Sequence, residues 1–132
     1  MSITIRIPAS IDPALTGNSR AHRMKKHRLF QELKDTTGWA IKAQAPHAAY
    51  PADALPLTLN YVVARGKGRQ ALDDDNIKIG LKGCQDSIAE HLGVNDRHIH
   101  VGTVTQIKDP EGIGWIDVYI TPSVVDESER AA

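Results

Sequence analysis

The chain has 132 residues, with 16 Lys+Arg against 16 Asp+Glu and a single cysteine. That length suits one domain, large enough to bury a core without a disulfide or a metal staple. A hydrophobic content of 41% with 24% charged residues excludes a disordered chain, and a lone Cys84 excludes an internal disulfide framework.

The opening MSITIRIPAS lacks the basic stretch and apolar run of a secretion signal. No segment approaches the ~18 apolar residues of a membrane span. The expectation is a soluble, cytoplasmic protein with no membrane partner. Zero net charge argues against a uniformly basic coat for nucleic acid, but the charge is segregated. Between Pro13 and Gln31 there is no acid, while Arg20, Arg23, Lys25, Lys26 and Arg28 are basic. Arg65, Lys67 and Arg69 form a second basic group, and acids gather at Asp73, Asp74 and Asp75.

In chain order, residues 3–7 alternate, with Ile3, Ile5 and Ile7 on one side, which predicts a half-buried strand. Residues 8–17 form a loop punctuated by two prolines and a glycine. Residues 20 to about 45 predict a helix with Met24, Leu29, Leu33 and Ile41 on its apolar face. Gly38 weakens its middle and leaves open a split into two helices. A proline-bearing connector follows to residue 55, and Leu57, Leu59, Tyr61 and Val63 then alternate as a second strand.

A flexible basic GKGR loop (66–69) leads to a helix over 75–92, closed by Gly93 at the C-terminal cap position. Residues 98–107 and 114–120 predict two more strands, joined by the turn-rich KDPEGIG as a hairpin. The order is β-α-β-α-β-β. It implies a small α/β (α+β) domain over residues 1–122, helices packed on a mixed sheet, with a polar tail over 123–132.

Chemistry concentrates in LDDDNIKIGLKGCQDSIAEHLGVND, residues 72–96. Three adjacent aspartates repel one another unless a helix N-terminus or a divalent cation relieves them. On a continuous helix Lys82 and Asp86 each fall about 20° from Asp75, one on either side. Those three make a polar stripe opposite Ile77, Leu81, Cys84, Ile88 and Leu92. Each feature also has a structural reading: a solvated cap for the aspartates, an ion pair for Lys82 with Asp86, and a core position for Cys84. His98 and His100 share a face of the predicted strand, but no Cys or third spaced His supports a zinc site. Trp39 and Trp115 are too few for a base-stacking platform.

The run Asp73-x-Asp75-Asn76, then a helix bearing Lys82 and Asp86, then Asn95-Asp96 before a strand, resembles the RusA family of Holliday junction resolvases. The resemblance is sharpest over residues 72–96. It extends more loosely over most of the chain, from the first strand through Asn18-Ser19-Arg20 and the basic first helix to the last hairpin. It implies a RusA-like mixed α/β fold, a homodimer, one active site supplied by each subunit, and a Mg²⁺-dependent (or Mn²⁺-dependent) endodeoxyribonuclease. Asp73, Asp75 and Asp96 match the family's three acidic positions, the implied metal ligands and catalytic residues.

Lys82 matches the family's essential lysine by its spacing to Asp86. The founding pattern sets that lysine about one helical turn nearer the aspartates, which leaves Lys78 as the alternative. Asp74 departs from the pattern, which has an apolar residue there.

Bound metal would supply a nucleophilic water, charge relief and help for the leaving oxygen in phosphodiester hydrolysis. A two-fold dimer suits paired symmetric cuts in a four-way junction. The basic residues Arg20, Arg23, Lys25, Lys26, Arg28, Arg65, Lys67 and Arg69 would contact the DNA backbone. Two alternatives compete with this enzyme. One is a non-catalytic junction-binding module on the same scaffold; the other is a small metal-binding or interaction protein without a nucleic-acid partner.

Overall fold

In a computed structural model, residues 2–16, 22–50 and 56–122 are described. Arg20, the Asn18-Ser19 pair and the tail over 123–132 lie outside them. The elements run β1 (Ile3–Ile7), α1 (Arg23–Gln44), β2 (Leu57–Arg65), α2 (Asp74–Gly80), α3 (Lys82–Leu92), β3 (Ile99–Lys108) and β4 (Trp115–Pro122). A 3-10 turn at Pro13–Leu15 follows β1, and another at Asp96–His98 precedes β3. The domain is a two-layer α+β fold with a mixed sheet, as the sequence predicts.

The four-stranded sheet has the order β1-β4-β2-β3. β4 lies antiparallel to both β1 and β2, and β3 runs parallel to β2. Alternation sends Ile5, Ile7, Leu57, Leu59, Tyr61, Val63, Ile116, Val118 and Ile120 into one core. The helices supply Leu33, Ile41, Ile77, Leu81, Cys84, Ile88 and Leu92 to it. The predicted apolar stripe of residues 77–92 is therefore the buried face. The face predicted for α1 is only partly so: Leu33 and Ile41 are buried, Leu29 is half-buried, and Met24 stands 74% exposed.

The predicted hairpin does not form. β3 and β4 are consecutive in sequence but β2 lies between them. Their connector crosses the end of β2, where Asp109 N–H donates to Arg65 O (3.0 Å) and Lys67 N–H to Gly112 O (2.8 Å). Turn-forming residues fit a crossing loop as well as a hairpin, so the local sequence does not separate them.

The crossing loop needs its glycines: Gly112 and Gly114 adopt φ of 76° and 94°, and a Cβ at Gly114 would stand 2.9 Å from the Ser10 Cβ. Asp109 fastens the loop by accepting from the N–H groups of Gly114 (2.8 Å), Glu111 (3.0 Å) and Ile113 (3.1 Å). Those bonds, Gly114's first, hold its carboxyl below the usual carboxylate range.

A depressed folded pKa means that Asp109 stabilises the fold above the ordinary carboxylate range. The contribution is lost as pH falls through the lowered value. Asp109→Asn is therefore expected to lower the melting temperature at pH 7. Its difference from wild type is expected to shrink toward pH 2, as thermal unfolding across pH would read.

α1 is one helix through Gly38, not two. It packs on α3 at two glycines. A Cβ at Gly38 would stand 2.7 Å from His91 Cε1, and one at Gly83 would stand 3.0 Å from the Phe30 carbonyl oxygen. Gly38 costs intrinsic helix stability but allows this close approach. Conversely, the predicted helix over 75–92 is interrupted at Leu81 (φ −86°, ψ 0°), which ends α2 and begins α3. The interruption follows Gly80, where a Cβ would stand 2.7 Å from Ile11 Cγ2. Gly93 closes α3 in the left-handed conformation (φ 67°), as its position predicts.

Candidate functional site

Asp73 occupies the N-cap position of α2 but its side chain makes no capping hydrogen bond. Asp74 and Asp75 lie in the first turn, and all three carboxylates are exposed. No hydrogen bond or ion pair joins them to other described side chains, so the cap reading does not account for Asp73. The preceding residue fixes where they stand. Leu72 N–H donates to Gln106 Oε1 (2.9 Å), and Gln106 Nε2 donates to Leu72 O (2.6 Å). The aspartates therefore begin beside the C-terminal part of β3.

Asp96 lies at the other end of that strand. It opens the 3-10 turn that precedes Ile99, with Asn95 Oδ1 accepting from Arg97 N–H (3.1 Å) as the cap. The span from Ile99 to Gln106 is roughly 23 Å at the usual rise of an extended strand. Among the described residues no group of three His, Cys, Asp or Glu is placed to hold a metal ion. Carboxylate oxygens are the right donors for Mg²⁺, but one chain does not bring Asp73, Asp75 and Asp96 together as three ligands.

Lys82, Asp86 and Asp96 instead line an open cavity of about 740 Å³ along α3, together with Lys34, Glu90 and Asn95. Two ion pairs cross its wall: Lys82 Nζ to Asp86 Oδ1 at 3.1 Å, and Lys34 Nζ to Glu90 Oε1 at 2.7 Å. The Lys34 ammonium titrates above its ordinary range because Glu90 accepts its hydrogen bond. Because the helix is interrupted at Leu81, the stripe that phases Lys82 onto Asp75 does not run unbroken, and Asp75 is not among the residues lining this cavity. Lys78 is exposed on α2, the helix that carries Asp75. Lys34 and Glu90 escape sequence reasoning because they sit on different helices and no local spacing links them.

The basic residues occupy two places flanking the loop after β1. Arg23, Lys25 and Arg28 are exposed in the first turns of α1, with Lys26 half-buried and Arg28 3.8 Å from Glu32. Lys67 and Arg69 are exposed after β2, and Arg69 reaches Asp12 at 4.0 Å. The 3-10 turn at Pro13–Leu15 touches both α1 and α2, and Asp12 before it meets Arg69. Arg65 closes β2, half-buried, with its Nε enclosed and without a hydrogen-bond partner among the described residues.

The remaining candidates resolve simply. Cys84 is fully buried, receives Thr37 Oγ1–H at 3.4 Å, and burial pushes its thiol up to about 12, so it stays protonated core. His98 belongs to the 3-10 turn and not to the strand, so it does not share a strand face with His100. Trp115 is half-buried under Arg6 (4.0 Å to the ring centroid), whereas Trp39 is 70% exposed with Lys42 above it. No helix among the described residues is long and apolar enough to cross a membrane. No known family model matches the chain, and no curated protein matches it.

Proposed function

We propose that the protein is a RusA-like, Mg²⁺-dependent endodeoxyribonuclease acting on branched DNA as a homodimer. The observation that carries this reading is Asp73. It stands where a helix cap belongs, makes no cap bond, and leaves its carboxylate facing solvent beside Asp74 and Asp75. Exposed like charges in that arrangement favour a cation over an empty surface. The adjacent Lys67 and Arg69 supply positive charge for a phosphate backbone.

The donors fit Mg²⁺ in kind but fall short in number within one chain. The proposed site therefore takes Asp73 and Asp75 from one subunit and Asp96 from its partner. This replaces the expectation that each subunit holds a complete site. When bound, the metal would activate water and relieve charge on the scissile phosphate. Lys82, already engaged with Asp86, would meet the backbone from the cavity along α3, and Lys78 is the lysine on the same helix as Asp75.

The test is a labelled four-way junction and a matching linear duplex, each incubated with Mg²⁺ or EDTA. Paired symmetric nicks are expected on the junction alone and with metal alone. Asp75→Asn should reduce them by on the order of a hundredfold or more while keeping the fold. Tight, salt-sensitive junction binding without nicks in Mg²⁺ or Mn²⁺ would replace the enzyme with the binding module. That second reading is favoured by one observation, the absence of a three-acid group among the described residues of one chain.

A further inference from the structure

The loop between β3 and β4 carries an apolar side chain that the fold does not use. Ile113 stands 73% exposed at its tip. It belongs neither to the core nor to the side chains packed against it. Its neighbours Gly112 and Gly114 both have positive φ, in a turn where small or polar residues are usual. A β-branched residue there stabilises nothing visible in the domain.

The loop that presents Ile113 is braced. Asp109 accepts from the N–H groups of Glu111, Ile113 and Gly114. Gly112 N–H donates to Asp109 O (3.0 Å), and Gly112 O accepts from Lys67 N–H (2.8 Å). A stiff side chain on a braced turn has little freedom left to lose on binding.

Cations flank it. Lys67 and Lys108 are exposed and line an open hollow of about 690 Å³ between the GKGR loop and this one. Glu111 is the exposed acid of that hollow, because Asp109 is buried and turned to the loop's own N–H groups. The acidic run lies at the same end of the sheet. Leu72, just before Asp73, bonds to Gln106, and Lys108 ends the strand that carries Gln106.

We propose that Ile113 is a wedge that enters a base step at the branch of a DNA substrate, with Lys67 and Lys108 on the flanking phosphates. An apolar side chain between cations repeats the order of such a ligand, an apolar base with phosphates on either side. An anionic bilayer has a similar order, but a single isoleucine buries too little apolar area to anchor on one. One apolar side chain is enough to part a base step. The inference rests on the proposed DNA substrate and deepens it. It supplies a means of telling a branch from a continuous duplex, because parting a step costs least where pairing and stacking are already broken.

The experiment uses a four-way junction with 2-aminopurine at the branch, in EDTA so that no strand is cut. Saturating wild-type protein is expected to raise the fluorescence severalfold, as unstacking does, and to leave a matching linear duplex unchanged. Ile113→Ser should lose that rise and weaken junction binding by about tenfold, with the melting temperature unchanged. Ile113→Leu should restore both. Replacing Lys67 and Lys108 by Gln should instead weaken junction and duplex alike and flatten the salt dependence. A junction that is bound, or cut in Mg²⁺, without the rise overturns the wedge and leaves the nuclease reading standing. A rise that Ile113→Ser retains also overturns it. So does binding to phosphatidylserine vesicles that depends on Ile113, with no rise on the junction. Absence of any junction binding overturns both readings together.

Discussion

Mixing two inactive variants is expected to restore cutting. Asp75→Asn and Asp96→Asn should each abolish junction cleavage alone. In a site built from two chains, each homodimer has both of its sites damaged. A mixed dimer differs: the Asp75→Asn chain still supplies Asp96, and the Asp96→Asn chain still supplies Asp73 and Asp75. One of its two sites is intact. Random exchange of equal amounts makes half the dimers mixed, so activity should recover to about a quarter of wild type. Sites contained within one subunit would give no recovery, because every subunit then carries a lesion. The assay needs only co-refolded or equilibrated variants and the junction substrate, with nicking of a single strand per junction expected to dominate. No recovery from demonstrably mixed dimers would sink the shared site.

The largest loss of stability is expected at Ile88. Its side chain is fully buried where α3 meets the sheet and α1, on the helix that carries Lys82 and Asp86. Ile88→Ala removes buried methyl groups and leaves a cavity that rigid neighbours fill only in part, costing about 2–5 kcal/mol. For a domain of this size that corresponds to a fall of roughly 10 °C in melting temperature. Met24→Ala makes the contrast. Met24 shares the predicted apolar face of α1 but stands 74% exposed, and its truncation should change stability by about 0.5 kcal/mol or less. Thermal or denaturant unfolding of the two variants checks both. Comparable losses at the two positions would contradict the packing of α1 and α3 described above.

Local sequence information located most of the secondary structure because alternation and helical period are short-range. Ile3–Ile7 and Leu57–Val63 read as strands from their period-two pattern. The buried set Ile77, Leu81, Cys84, Ile88 and Leu92 read from its helical period. Gly93 read as a cap because a left-handed residue is needed there. The same rules missed the interruption at Leu81. It falls beside Gly80, which packs against Ile11, a contact between segments far apart in the chain. They missed the exposure of Met24 for a similar reason, since what covers a helical face is decided by other elements.

The candidate site divides along the same line. The sequence by itself singled out the candidate residues: the Asp73-Asp74-Asp75 run, Lys82 four residues before Asp86, Asp96 after the helix, and two basic stretches. It also determined the apolar pattern that makes a mixed α+β domain. Only the tertiary structure decided the strand order. β2 separates β3 from β4, a choice among non-local pairings that turn chemistry does not express. That order makes β3 an edge and runs it parallel to β2, with α2 and α3 as the crossover. A parallel crossover returns the chain to the starting end of the next strand. Asp73 and Asp96, near in sequence, are therefore held at opposite ends of β3, and the chain that could reunite them is a second one.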